Sequence, residues 1–543
     1  MSKSNFVYNL APSIHKARSR FDMSHSHKTS INEGALVPFY VQEVYPGDSF
    51  NVKTSHVIRS SVPFIRPIMD NLFLDMYYFF VPNRLVYQDW QYFMGENKDG
   101  YWTNTVNYTI PYTNAAGVAA NTIGDYMGIP VNNNLTADDK INVMPFRAYA
   151  KIWNEWFRDE NTQQPCKIYT DSTYHSQEAC NNNSFGVNNY CGKPAYINKF
   201  HDYFTSCLPA PQKGNDVLIP LEDAGIFTRS TRIVPDVPLT WANVQSGSAL
   251  SVSGPLQYNA IGGGSTITTG TVSASTYIAP DNLYVKGKDL GGTINDLRFA
   301  MQFQRLLEMD ARGGTRYVEY LLEHFGVVSP DARLQRPEFL GGKRMPLNVS
   351  QVAQTSASTT DSPLGQVGAY SLSSNECGFV KGFVEHGYII GVCAVRQHHT
   401  YQQGLEKFWT RKTRYDFYDP VFANIGEQPV YKYELDAVHN NTVSGAVFGY
   451  NEAWADLRYR PSRVSGSLRS SSLEGLDIWH LADNYANSPT LNSDFMKETS
   501  TYLDRTLSAG SSTISNFIVD IYNDIKAVRV LPVRSIPGKI DHN

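Results

Sequence analysis

The feature that most restricts the fold is how widely the strand-like segments are scattered. They recur from near residue 37 to near residue 533 of a 543-residue chain, separated by helical stretches and long polar inserts. Phe50, Val52, Thr54, His56 and Ile58 alternate with Asn51, Lys53, Ser55 and Val57 after the turn Pro46-Gly47-Asp48, the period of two of a half-buried strand. NLFLDMYYFFVP from Asn71 is apolar on both faces, as in a strand buried in a sandwich. The β pattern returns in GFVKGFVEHGYIIGVCAVRQ from Gly378 and in AVRVLPVRS from Ala527. Domains in series would confine each β group to its own segment. The spread predicts instead one mainly β domain, an eight-stranded antiparallel jelly-roll sandwich with long loop insertions and a few helices, because jelly-roll loops gather at the sheet ends and accept insertions there.

Helical periodicity interrupts this pattern at three places. In INDLRFAMQFQRLLEMDAR from Ile294, Phe299, Phe303, Leu306 and Leu307 fall on one face, Thr293 or Asn295 can cap the start, and Gly313-Gly314 ends the helix. A second helix is expected from Thr315, burying Val318, Leu321, Leu322 and Phe325, with Gly326 as its stop. Pro330 and Pro337 then turn the chain out as a connector. None of these residues makes a catalytic constellation, so the segment is expected to be scaffold. Pro145 opens a third helix, with Phe146, Tyr149, Trp153, Trp156 and Phe157 on a packing face opposite Arg147, Lys151 and Arg158. Residues 101–134, rich in Asn, Tyr and Gly, are expected to form a long surface loop.

Charged residues make up 18% of the chain and aromatics 13%, which suits a protein that buries surface against neighbours and would also suit an aromatic-rich enzyme or lectin. A formal net charge of −4 argues against coating nucleic acid over the whole surface, so such contact must be a local patch. No window reaches the length of a membrane span and the N-terminus lacks a signal-peptide core, so neither membrane insertion nor secretion is expected. Of six cysteines, Cys166, Cys180, Cys191 and Cys207 share one polar stretch, most of it within an expected insertion at 161–200. They contain no C-x-x-C, which speaks against zinc, and three pairings would be possible; free thiols are expected. A second insertion, 225–290, holds a run from Val237 to Pro280 without any Asp, Glu, Lys or Arg. Low-complexity loops usually rely on charge to stay open, so this one looks built to pack against something.

There is no G-x-x-x-x-G-K-[ST], G-x-S-x-G or H-E-x-x-H, and neither an enzyme, a cofactor nor a metal is expected. His25-x-His27 lacks visible partner ligands, and His398-His399, adjacent near a strand end, should face opposite sides. The better signal is cationic. Residues 1–30 hold Lys3, Lys16, Arg18, Arg20 and Lys28 against the single acid Asp22, a basic N-terminal arm. Lys407, Arg411, Lys412 and Arg414 occur without an acid between them beside Phe408, Trp409 and Tyr415, and Arg458, Arg460, Arg463 and Arg469 lie beside Tyr459. Single-stranded nucleic acid is held by cations on phosphate and rings under bases. Candidate DNA contacts are therefore Lys16, Arg18, Arg20, Lys28, Lys407, Trp409, Arg411, Lys412, Arg414, Arg458, Arg460 and Arg463; solvated strand edges or subunit-interface cations would look the same.

Several long motifs occur in order: RFDMSHSHKTSINEGALVPFYVQEVYPGDSF from Arg20, IWNEWFRDEN from Ile152, HDYFTSCLPAPQKG from His201, the run 305–342, EAWADLRYRPSRVSG from Glu452, LDIWHLADNY from Leu476 and the final SIPGKIDHN. With these the chain resembles the major capsid proteins of the Microviridae, small tailless single-stranded DNA phages, and most closely their gokushovirus branch. The resemblance implies a T=1 icosahedral shell of sixty copies around circular single-stranded DNA, assembled in the host bacterial cytoplasm. It also implies a small basic DNA-packaging protein, a pilot protein and a host surface receptor as partners. Alternations such as Ala249-Leu250-Ser251-Val252-Ser253 and Thr266-Ile267-Thr268 favour strand pairing, and uncharged edges need cover. Residues 237–280 are accordingly expected to meet symmetry mates in a threefold protrusion, a form of projection the resemblance implies, with the receptor contacts within it. A glycan-binding jelly-roll protein is the alternative reading.

Overall fold

The computed structural model describes residues 17–97, 108–114, 118–131, 139–218, 293–347, 350–353, 367–371, 376–439 and 445–534, and seven short strands within 226–285. The chain forms two compact units, residues 1–211 with 311–543, and residues 212–310, which are inserted into the first.

The first unit is built on nine strands in two antiparallel sheets. They are β1 (Ser19–Asp22), β2 (His25–Ile31), β3 (Val37–Val44), β4 (Ser49–Ser60), β5 (Leu72–Pro82), β6 (Glu338–Leu347), β7 (Glu376–Gly382), β8 (Gly387–Gln397) and β9 (Phe517–Arg529). In one sheet β9 lies between β4 and the pair β1 and β2, with β7 on the far side of β4; in the other the order is β6, β5, β8, β3. The last long strand of the chain thus pairs with the first ones, Lys28 opposite Asp520 and Arg20 opposite Val528. Such wide separation is what a single sandwich with insertions requires.

Alternation decides the packing. Phe50, Val52, Thr54, His56 and Ile58 point inward from β4 while Asn51, Lys53 and Val57 face out. With Phe517, Val519 and Ile521 they meet Leu74, Met76, Tyr78, Phe80, Ile389 and Val395 of the opposite sheet in the main core. The reverse face of that second sheet is also covered: Phe79, Val81, Tyr388, Ile390 and Val392 pack under helix α1 (Met144–Ile152) and the cysteine-bearing segment in a second core. Hence β5 and β8 are apolar on both faces.

Helix α1 departs from its amphipathic reading. Arg147 is not on a solvent face but fully buried, its guanidinium donating to both carboxylate oxygens of Glu178 and to the carbonyls of Val86 and Asp171. The cysteine-bearing segment folds over the helix and supplies the carboxylate, so a position that periodicity assigns to water is sealed. All six cysteines are buried and unbonded to one another. Burial raises the Cys166 thiol to about 12, well away from a reactive thiolate.

In the second unit, Trp241–Asn243 pairs with Ala249–Leu250 and with Ile278–Pro280, Gln257–Ile261 forms a hairpin with Gly264–Thr268, and Ile226–Thr228 pairs with Leu283–Val285. The expected pairing of 251–253 lies outside the described residues, as do 101–107, 115–117 and 132–134 of the expected surface loop. Helix α2 (Ile294–Arg312) starts where expected, with Thr293 and Asp296 capping each other reciprocally. Its apolar face does not behave as expected: Phe299 and Phe303 are 71% and 43% exposed, and Ala300 is its single buried residue. Helix α3 (Tyr317–Phe325), in the first unit, ends at Gly326 in the left-handed conformation; Val318 and Leu321 are half-buried, whereas Leu322 and Phe325 are exposed. Periodicity places both helices, but much of the burial it normally signals is not found among the described residues.

Candidate nucleic-acid and subunit surfaces

The basic and aromatic runs flagged in the sequence converge in the first unit. Residues 407–422 fold as three short turns, Lys407–Thr410, Arg414–Asp416 and Pro420–Phe422. Asp416 accepts from the backbone N–H of Lys412 and Thr413 at 2.9 and 2.7 Å, and Asp419 from that of Val421 at 2.9 Å. The Trp454 indole donates to the Phe422 carbonyl at 2.8 Å and anchors the loop. Side-chain carboxylates on backbone donors hold an irregular segment in one shape.

The second run lies alongside, and acids flanking the two runs pair with several of their cations. Glu406 takes both Arg460 (3.0 Å) and Arg463 (2.6 Å), Asp456 takes Arg411, and Glu452 takes Arg458. Lys407 donates to the Pro429 carbonyl and Arg469 to that of Gln402. No acid falls between the cations of either run, but the fold brings acids from 45 to 57 residues away to Arg411, Arg460 and Arg463. Lys412 and Arg414 are exposed and have no ion pair among the described residues. Trp409 is 66% exposed beside Phe408, their rings 4.7 Å apart. A cleft of about 470 Å³, lined by Tyr203, Phe204, Lys407, Leu457, Tyr459 and Pro461, opens between the runs.

At the N-terminus, Lys16 lies outside the described residues. Arg18 and Arg20 are exposed at the start of the sheet edge, and Lys28 pairs with Asp520 at 2.8 Å with both side chains largely in water. Residues 19–31 are thus edge strands, and their cations stand on the outer face of a sheet that also carries Asp22, Asp520 and Asp524.

The histidine pair separates as the strand geometry demands. His398 packs on Phe73 and Phe200, while His399 is buried with Nδ1 2.7 Å from Asp483 and Nε2 3.1 Å from Glu498. Lys199 reaches Asp483 at 3.2 Å. Burial opposes the charge on His399, but Asp483 and Glu498 outweigh it and raise its pKa to about 10, so the ring donates from both nitrogens. Glu33 beside them is fully buried, and burial together with Glu498 pushes it well above the carboxylate range. Local sequence pattern carries no sign of this network, because Glu33, Lys199, His399 and the Asp483 to Glu498 stretch lie far apart in the chain. It has no open ligand face, and among the described residues no cluster of three His, Cys, Asp or Glu side chains is placed to hold a metal ion. A cavity of about 950 Å³ has Arg316, Arg344 and Arg396 in its wall, where Glu160 holds the first and Asp75 the other two. No described helix is long and apolar enough to cross a membrane.

Comparison with known proteins accounts for nearly the whole chain. The profile of a family described as capsid protein (F protein) matches residues 10–539. Capsid protein VP1 of Spiroplasma virus 4 is 39% identical over 96% of this chain and 96% of its own length. Capsid protein VP1 of Bdellovibrio phage phiMH2K is 39% identical over 97% and 96%, and that of Chlamydia phage 1 is 37% identical over 98% and 97%.

Proposed function

We propose, from the premise that this chain belongs to the capsid protein (F protein) family of the Microviridae, that sixty copies close into a T=1 icosahedral shell around circular single-stranded DNA. Family membership itself makes the chain a capsid protein of a bacteriophage, self-assembling, part of the virion, and structural rather than catalytic in role. The near-complete match along the chain is the observation that carries the reading, because a shared sandwich alone would fit many functions.

We read the sandwich as an eight-stranded jelly roll. Counting β1 and β2 as one interrupted strand, the sheet orders become 1-8-3-6 and 2-7-4-5, the interleaving that two nested Greek keys produce. Residues 237–280 are assigned to a threefold protrusion that contacts the host receptor; the support is their lack of charge and the short paired strands at 241–243, 249–250, 257–261, 264–268 and 278–280. Arg18, Arg20 and Lys28, exposed at one sheet edge, are the DNA contacts favoured here. At a net charge of −4 the shell cannot neutralise a genome, so a small basic packaging protein shares that task, with a pilot protein as a further partner.

Electron microscopy of the purified protein tests the central claim: closed particles support it, and a small soluble oligomer that binds sugars would favour a glycan-binding jelly roll. Deleting residues 247–270 and bridging the gap should leave particles that assemble but adsorb poorly; untouched adsorption would remove the receptor assignment. Replacing Arg18, Arg20 and Lys28 together should lower packaged DNA in a salt-dependent way.

A further inference from the structure

Two apolar faces of the first unit stay exposed among the described residues. On α3, Tyr317, Tyr320 and His324 stack in a ladder with ring separations of 6.3 and 4.3 Å, and Phe325 meets Tyr320 edge-on at 5.9 Å. Phe325 and, just beyond the helix, Val328 are 65% and 75% exposed. A solitary amphipathic helix gains its stability from burying such a face, so a helix with only Val318 and Leu321 of its apolar residues half-buried and its outer rings exposed is incomplete alone. The second face is the loop 407–425, where Tyr415 is 76% and Val421 83% exposed beside Trp409 and Phe417. Three turns and the Asp416 and Asp419 side chains hold this loop in shape while its rings point to water. A preformed aromatic surface with Arg at its edge has the composition of an interface centre.

We propose that the aromatic ladder of α3 on one protomer docks on the loop 407–425 of a second copy of this chain, with Glu323 meeting Arg414 across the contact. The proposal rests on the capsid reading above, which requires copies of the chain to bind one another. The unpaired charges are complementary: among the described residues Glu323 is the charged residue of α3 without a partner, Glu319 being held by Arg316, whereas on the loop it is Lys412 and Arg414 that are unpaired. Cations over the Tyr317 to Phe325 ladder add ring attraction of the cation–π kind. Because the two faces are different parts of the chain, copies related by a ring symmetry repeat the contact head to tail around the axis. DNA is the competing occupant of the loop. It is disfavoured because Arg411, Arg458, Arg460 and Arg463 are already paired with acids of the same chain, and because Val421 and Phe417 offer nothing to phosphate.

The test is a charge-reversal cycle on the full chain, read by sedimentation of assembled shells and by thermal unfolding of the protomer. E323R and R414E should each lower shell yield about tenfold or more without changing protomer unfolding, and the double variant E323R/R414E should restore the yield. As a second reading, shells co-assembled from F325C and V421C chains should form an interchain disulfide that shells of either variant alone do not. Single variants that assemble like the wild type, a double variant that is not rescued, or absence of the mixed disulfide would overturn the contact. Normal shells with reduced DNA content in R414E would assign the loop to DNA instead. If the unaltered chain forms no shell, it is the capsid reading that has failed, and this contact falls with it.

Discussion

Two histidines in opposite surroundings set how the protomer responds to pH. His56 lies inside the sandwich with no hydrogen-bond partner for either ring nitrogen among the described residues. Burial, reinforced by Lys343, lowers its pKa from 6.5 to about 4. The unfolded chain then takes the proton more readily, so stability present above pH 6.5 is lost as the pH falls toward 4, by about 3 kcal/mol across the span. His399 is the reverse: raised to about 10, its charged form belongs to the folded state, and its contribution is present below pH 6.5 and lost as pH rises through 10. Glu33 acts in the same direction, since folding retains a proton that the unfolded chain gives up. Denaturant unfolding of the protomer should therefore show greatest stability near neutral pH, falling on both sides. His56→Leu should flatten the acid side; an acid slope equal to that of the wild type would show that His56 is not its source. His399→Gln leaves Glu498 buried without its cation and Asp483 with Lys199 alone, and should cost about 3 to 5 kcal/mol at pH 7.

At the scale of elements, two features control how the pieces dock. Gly34 links β2 to β3 with φ +79°, and a Cβ there would lie 2.1 Å from the Glu498 carbonyl oxygen, inside any permitted contact. Gly34→Ala meets both a disfavoured backbone conformation and a backbone clash, so a loss of more than about 2 kcal/mol is expected in chemical denaturation. The second feature is the lock between α1 and the cysteine-bearing segment, Arg147 with Glu178 at 2.7 Å and both fully buried. Arg147→Met strands the Glu178 carboxylate and should destabilise by about 3 to 5 kcal/mol, while the double change Arg147→Met with Glu178→Leu should recover most of that loss. Equal destabilisation in single and double variants would mean that the pair acts by packing and not by charge.

At the scale of the whole molecule, shell contacts and DNA contacts should part company in salt. The exposed faces of α3 and of 407–425 are predominantly aromatic and aliphatic, and such contacts persist when ions screen charges, whereas phosphate contacts weaken steeply. Raising NaCl to about 1 M should leave particles sedimenting as closed shells while nuclease protection of the packaged DNA falls. Shells that dissociate in parallel with the loss of protection would show that ion pairs hold the copies together. Much of this protein was legible in its sequence. The strands β4, β5 and β8, the start of α2 at Thr293, the stop of α3 at Gly326 and the family itself follow from local patterns, because which residues share a face depends only on the backbone period. Long-range partners are not local. Which carboxylate meets Arg411 or Arg147, why His399 is charged in the interior, and where the apolar residues of α2 and α3 stay exposed are settled by the path of loops between distant segments, and only the tertiary structure decided them.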